Sequence, residues 1–322
     1  MSRVRLRRFK PADSAAVSAL FRQVYGENYV QPDVYLPSMI DQHNADNQWY
    51  SMLAVDNEHI VGHAALCRDT HCRDHAELAL SLVHPAARGK GIASRLGREL
   101  LRRASRLGLK SVSIKQVTDH PYTQKMAQSL GFTSIGLLPD YVPSPFGGPY
   151  EESVVLGYQL VKGHARPLPQ LEWPQAYSHF MGQLSASFGT RHDSPSKRAY
   201  PIQISQHHER VEVVLYQLDD SILLQLGQLP RHWMISIKLE LSRHFPRNMH
   251  RLCAINFAFT GLMPAPGASG WYALFHRGAR QRPVSFYCPH MQQLHDGLLR
   301  RPPSRLQHTQ LPELLRTSPL PG

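Results

Sequence analysis

The sequence predicts an α/β protein of the mixed α+β kind, with strands and helices sharing sheet-based layers and the chain divided into two domains. Three observations carry that expectation. Strand-like alternation and helix-like periodicity interleave from the first residues onward. A glycine-bearing loop joins an apolar run to a long basic amphipathic stretch, and a strand–helix–strand segment of the first half recurs in the second. The 322 residues exceed what one compact core usually needs, which favours two. Hydrophobic residues at 42% and charged residues at 19% place the chain with globular proteins and away from disordered ones.

Val4 to Arg8 reads as a first strand. Asp13 or Ser14 then caps a helix that sets Ala16, Val17, Leu20 and Phe21 on one face. A second helical stretch falls near Pro37 to His43. Tyr50 to Val55 and Ile60 to Cys67 are β-rich and flank Asp56-Asn57-Glu58-His59, which predicts a hairpin. Glu77 to Val83 is a third antiparallel neighbour, ended by Pro85. A helix over Ser94 to Leu107 buries Leu96, Leu100, Leu101 and Ala104. Val112 to Val117 is a buried strand, Tyr122 to Leu130 a helix stopped by Gly131, Phe132 to Leu137 a strand, and Val154 to Leu160 the last strand of this half.

The proline-bearing stretch His164 to Pro174 marks the boundary. The expected division is a domain over 1–162, a linker and helical connector over 163–198, a second domain over 199–300, and a proline-rich tail over 301–322. The second domain is legible as a degenerate copy. Ser113-Ile114-Lys115 recurs as Ser236-Ile237-Lys238, and His120-Pro121 is echoed by His244-Phe245-Pro246. Gly131-Phe132 with Gly136 is echoed by Asn256-Phe257 with Gly261 at the same spacing. Ile202 to Ile204 and Val211 to Leu215 precede that unit as strands, and Trp271, Tyr272, Phe275, Phe286 and Tyr287 supply its core.

The chemistry-bearing motif stands between the third apolar run and the long helix: Arg88-Gly89-Lys90-Gly91-Ile92-Ala93, of the form Arg-x-x-Gly-x-Ala. The first N–H groups of a helix lack intrahelical partners, and the helix dipole adds positive potential there. Gly89 and Gly91 let backbone approach phosphate oxygens without a Cβ in the way, and Arg88 and Lys90 add charge. A loop of this composition suits a pyrophosphate.

Together with the Leu130-Gly131-Phe132 helix ending, the motif resembles the GNAT superfamily, whose coenzyme A loop has the form Gln/Arg-x-x-Gly-x-Gly/Ala. The resemblance covers about residues 3–160, and implies a GNAT fold with a mixed, splayed sheet plus a second, degenerate GNAT-like domain that has lost the loop. It further implies that the pantetheine arm of acetyl-CoA or another acyl-CoA lies between Glu77–Val83 and Val112–Val117. Backbone at Leu82 and Val83 would hold the arm and polarise the thioester, while Arg88, Gly89, Lys90, Gly91, Ile92 and Ala93 hold the pyrophosphate.

The implied activity is acyl-CoA-dependent N-acetyl transfer by direct attack of an amine, on a small metabolite or a peptide. Glu77 stands where the histone-acetylating branch carries its catalytic base, although a glutamate at a strand start also serves as a solvated edge residue. The tyrosine that many relatives place four residues before Gly131 is Ala127 here, which leaves His120, Tyr122 or Tyr141 to protonate the thiolate. The alternative is a sensor or interaction module that binds acyl-CoA with little turnover. The segment from His120 to Lys125 looks like a bacterial subgroup with a divergent helix.

Lysine and arginine outnumber aspartate and glutamate by 36 to 24, giving +12, which attracts polyanions without naming one. The basic residues of the long helix, without interleaved aromatics, predict a solvated face rather than a nucleic-acid surface. Cys67, Cys72, His71 and His75 are too loosely spaced to predict a zinc site, so no metal is expected. Four cysteines and the absence of a leader or a run of about 18 apolar residues predict a cytoplasmic chain with free thiols and no membrane segment. A homodimer is compatible with the sequence.

Overall fold

Arg5–Arg8 form β1, and Ser14–Tyr25 form α1, which buries Val17, Leu20 and Phe21. Ala16 is exposed and Ser18 takes its place on the inner face. Asp13 stands at the helix start, yet its side chain caps nothing there. Its carboxylate accepts instead from Arg7 Nη1 at 2.6 Å and from the Lys10 amide at 2.8 Å, tying α1 to β1. That Arg7 pairing outweighs burial and holds Asp13 below the usual carboxylate range.

Next come α2 (Pro37–Ala45) and the predicted hairpin, β2 (Trp49–Asp56) with β3 (His59–Arg68). Asn57 and Glu58 both turn with positive φ, the geometry a tight hairpin demands. Then follow β4 (His75–Val83), α3 (Ile92–Ala104), β5 (Ser111–Val117), α4 (Tyr122–Ser129), β6 (Thr133–Pro143) and β7 (Glu151–Leu160). In this computed structural model the described residues are 4–69, 72–193, 202–207, 210–266, 270–280, 282 and 284–299. The chain separates into two units, Met1–Ser134 with Asp140–His164, and Ile135–Pro139 with Ala165–Gly322.

In the first unit the strands run β1-β2-β3-β4-β5-β7, antiparallel except for β4 against β5. Its sheet carries helices on both faces. On one face α3 and α4 cover Ala64, Leu66, Ala76, Leu78 and Ile114, and on the other α1 and α2 cover Leu53, Ala65, Leu80 and Leu82. The fully buried Leu96 and Leu100 of α3 each stabilise the unit by about 1.5–3 kcal/mol through burial.

The second unit contains β8 (Leu168–Pro169), α5 (Ser178–Phe188), β9 (Thr190–Arg191), β10 (Ile202–His207), β11 (Arg210–Leu215), α6 (Asp220–Gln228) and β12 (Met234–Glu240). It continues with α7 (Phe245–Ala254), β13 (Ala258–Pro264), β14 (Trp271–Arg277) and α8 (Pro289–Leu299). Within the stretch 163–198, expected as a linker and helical connector, α5 buries Phe180, Met181, Leu184 and Phe188. A pattern of apolar residues one, four and eight apart is enough to bury one helical face, whatever prolines precede it.

Its strands run β13-β14-β12-β11-β10, and β11 is parallel to β12. Residues 135–139 join this unit, where Gly136 pairs with Gly261. Trp271, Tyr272 and Phe275 are core residues as expected, whereas Phe286 is half-buried and Tyr287 is exposed. The proline-rich stretch 301–322 lies outside the described residues.

Helix α6 has no counterpart among the elements expected from the sequence. Asp219 caps it, its Oδ1 accepting from the Ile222 amide at 2.7 Å. Asp219→Ala is expected to cost about 1 kcal/mol, read as a lowered midpoint in denaturant.

Candidate functional site

Arg88 to Ala93 form a turn between β4 and α3. After a short helical turn over Pro85–Ala87, Arg88 is extended, and Gly89 and Gly91 take φ values of +78° and +66°. Gly91 is the N-cap of α3, and no side chain caps this end. The first intrahelical bond there is Arg95 N–H to the Gly91 carbonyl at 3.0 Å, so the amides of Ile92, Ala93 and Ser94 precede the ladder. A Cβ at Gly89 or at Gly91 would meet nothing within 4 Å. The glycines are thus required by their left-handed backbone, and the space ahead of the helix is left open. Arg88 and Lys90 are exposed, and the Arg88 Nε donates to the Val83 carbonyl at 3.3 Å. Cationic side chains, a positive helix end and unoccupied amides fit a diphosphate.

Beside this loop the sheet opens. Strands β4 and β5 pair at His75–Ser111, Ala76–Val112 and Glu77–Ser113, and no further pair follows. Beyond Glu77, the β5-facing edge of β4 therefore has no strand partner, and Leu82 and Val83 lie on that stretch with their other edge paired to His63 and Gly62. The edge accommodates an extended chain as an added strand.

β4 is also irregular within this stretch. Ala65 pairs with Ala79 and His63 with Leu82, so one residue of β3, Ala64, faces two of β4, Leu80 and Ser81. Leu80 has φ +52°. The bulge changes which face the strand presents: Ala76 and Leu78 join the α3 core, while Leu80 and Leu82 join the α1 core.

Glu77 lies at the mouth of the slot and is ion-paired. Its Oε2 accepts from Lys115 Nζ at 2.9 Å, and Lys115 lies 5.5 Å from the Tyr141 ring centre. Burial alone would depress the Lys115 ammonium, but Glu77 and Tyr141 hold it above the ordinary lysine value. In the second unit Glu212 and Lys238 make the same contact at 3.0 Å, with Glu212 in register with Ser236 as Glu77 is with Ser113. His120 and Tyr122 are neighbours at the end of β5, their ring centres 5.2 Å apart. Tyr122 is 74% exposed, and His120 Nδ1 is buried without a partner among the described residues. Ala127 is buried in the α3 core, facing away from solvent.

An aromatic wall on the α1 side is not foreshadowed by any sequence motif. Tyr25, Tyr29 and Phe146 form a chain of ring contacts of 4.9 and 5.4 Å. Burial raises the Tyr25 phenol, with the charges of Arg88 and Glu152 also acting on it, and burial likewise raises Tyr29, which feels Glu77. The sequence offers only two tyrosines four residues apart, Tyr25 at the end of α1 and Tyr29 beyond it, a spacing with no motif attached.

Residues 15–132 match the model of the acetyltransferase (GNAT) family. These residues form a GNAT domain. The matched span runs from α1 to α4 and includes the Arg88–Ala93 turn and the open edge between β4 and β5. Among solved structures, the chain is 21% identical to the yncA protein of Salmonella typhimurium determined with its cofactor acetyl-CoA, covering 52% of this chain and 98% of that one at a TM-score of 0.44. It is 20% identical to an N-acetyltransferase of Staphylococcus aureus, covering 50% and 100% at 0.44. It is 15% identical to the ribosomal-protein-S5-alanine acetyltransferase of Vibrio fischeri, covering 51% and 98% at 0.43. No curated protein matches the chain.

Around the GNAT domain, no group of three or more metal-ligating side chains occurs among the described residues; of the cysteine–histidine cluster, His71 falls outside them. Burial pushes the Cys67 thiol up, making it a poor thiolate. No helix among the described residues is long and apolar enough to cross a membrane.

Proposed function

We propose that the first unit binds acetyl-CoA or another acyl-CoA and transfers the acyl group to an amine of a small metabolite or a peptide. The carrying observation is the uncapped N-terminus of α3 beside an unpaired strand edge. The second unit supports this reading by contrast. It repeats the strand order and the parallel pair, yet β11 and β12 pair over six residues, from Arg210–Met234 to Leu215–Leu239. Its corresponding helix is capped by the carboxylate of Asp219. Slot and anion site are both closed there, which suits a degenerate GNAT-like copy that binds no coenzyme A.

In the proposed reaction the acceptor nitrogen attacks the thioester carbonyl carbon, the C–S bond breaks, and the sulfur leaves as a thiolate. Backbone at Leu82 and Val83 holds the arm, with Arg88, Gly89, Lys90, Gly91, Ile92 and Ala93 on the pyrophosphate. An alkylammonium of pKa about 10.4 must first lose a proton. In this reading Glu77 takes that proton at the slot mouth, and His120 with Tyr122 returns one to the thiolate. Glu77 Oε2 accepts from Lys115 Nζ at 2.9 Å, so it must leave that ammonium to take a proton from the acceptor.

Thiol release with a panel of amines tests the assignment. Glu77→Gln is expected to lower kcat/KM at neutral pH by about a hundredfold, the lower end of general-base contributions. Glu212→Gln, which removes the matching ion pair of the second unit, should leave it unchanged. Full activity of Glu77→Gln at neutral pH would reduce Glu77 to a strand-pairing residue. A second reading, binding without efficient turnover, is favoured by Ala127 and by the engaged Glu77; it predicts tight acyl-CoA binding with no thiol release from any amine.

A further inference from the structure

His63 lies in the middle of β3 and is completely buried. Its Nδ1 is 2.8 Å from the carbonyl of Leu80, the residue at the head of the β4 bulge. A carbonyl only accepts, so Nδ1 carries the proton and the ring is the Nδ1–H tautomer. Nε2 then has no proton and, among the described residues, no partner. Phe21 stands edge-on to the ring at 5.7 Å and helps fix its plane.

The bulge explains why a polar side chain is buried there. Where two residues of β4 face one of β3, the ladder is interrupted, and the Leu80 carbonyl accepts from the His63 ring. A buried carbonyl without a donor is costly, and the imidazole supplies the donor. A non-glycine residue at φ +52° is itself strained by an amount that the surroundings must sustain. Burial pushes the ring down to about 4, against the bond to Leu80, which keeps it neutral and the donor in place across the physiological range.

We infer that His63 is a positioning residue for acyl transfer: by holding the Leu80 carbonyl it fixes the left-handed turn at Leu80, and with it the aim of the Leu80–Val83 backbone toward the thioester. This rests on the acyl-CoA reading of the slot. It assigns His63 an effect on the acyl end of the ligand and none on the pyrophosphate end, which the α3 loop holds.

Calorimetry with CoA and with acetyl-CoA on the full chain separates the two. His63→Leu removes the donor at similar size, and His63→Asn returns one near the Nδ1 position. CoA affinity is expected to stay within about threefold in both variants. Acetyl-CoA affinity should fall about tenfold in His63→Leu and recover in His63→Asn. Equal losses for both ligands, or none for either, overturn the inference. No heat from the unsubstituted protein with either ligand sinks the acyl-CoA reading itself, a separate result. Should His63→Leu not fold, ¹⁵N-histidine spectra of the unsubstituted protein decide: the His63 signals should show the Nδ1–H tautomer from pH 5 to 8 and move with acetyl-CoA but not with CoA. A ring that titrates in that range, or that moves equally with both, contradicts the proposal.

Discussion

Gly91→Asp is expected to abolish coenzyme A binding while the chain stays folded. Gly91 sits at φ +66° and ψ +19°, a left-handed conformation that aspartate tolerates better than most residues. An aspartate there would do to α3 what Asp219 does to α6, whose Ile222 amide it accepts at 2.7 Å. The carboxylate would engage the amides proposed for the diphosphate and repel the ligand's charge. The expected loss is at least about a hundredfold, or about 2.8 kcal/mol at 1.4 kcal/mol per tenfold. Gly91→Ala should fall between, since its methyl adds strain of about 1–2 kcal/mol but no charge. Calorimetry with CoA checks the order. Equal affinity for glycine, alanine and aspartate at this position would show that the ligand does not touch the loop.

Gly261→Val should cause the largest loss of stability. Gly261 has φ +109°, and a Cβ there would lie 2.5 Å from both the Gly136 Cα and the Ile135 carbonyl oxygen. These are backbone atoms that no rotamer change can move aside. Strand β13 would have to part from residues 135–139 or carry a strained backbone, and the expected cost is about 4 kcal/mol or more. Gly182→Ala is the control. Gly182 lies within α5, and a methyl group added there would meet nothing within 4 Å, so the change should be neutral or stabilising by about 0.5–1 kcal/mol. Denaturant midpoints of the two variants measure the contrast, and a Gly261→Val midpoint equal to that of the native chain would contradict the pairing.

The glycine turn ahead of α3 was legible because its requirements are local: two glycines, two cations and a following amphipathic helix are adjacent in the chain. The repeat was legible for a related reason, since Ser113-Ile114-Lys115 and Ser236-Ile237-Lys238 keep the strand that faces Glu77 in one unit and Glu212 in the other. The bulge was not. Ala76, Leu78, Leu80 and Leu82 alternate as a regular strand would, and all four are buried, but Leu80 and Leu82 pack on the opposite face from Ala76 and Leu78. The change of face follows the bulge at Leu80, whose carbonyl is met by the His63 ring 17 residues away, a contact that strand alternation does not reveal. Helix α6 carried a readable signal in Asp219, Asp220 and Ser221 ahead of an apolar run. Helix α5 falls within the stretch 163–198 expected as a linker and helical connector, and its buried face is set by Phe180, Met181, Leu184 and Phe188.

The repeated ion pair also bears on catalysis. A contact kept in a unit whose slot is closed by six strand pairs serves strand alignment there. Its twin at Glu77 and Lys115 serves alignment too, and any role in proton transfer is an addition to that one.

Calorimetric titration of the full chain with CoA tests the central claim most directly, because it counts sites as well as detecting them. The open α3 terminus and the self-capped α6 terminus together predict one site per chain, lost in Gly91→Asp and unaffected in Asp219→Ala. No heat, two sites per chain, or undiminished binding in Gly91→Asp would contradict it.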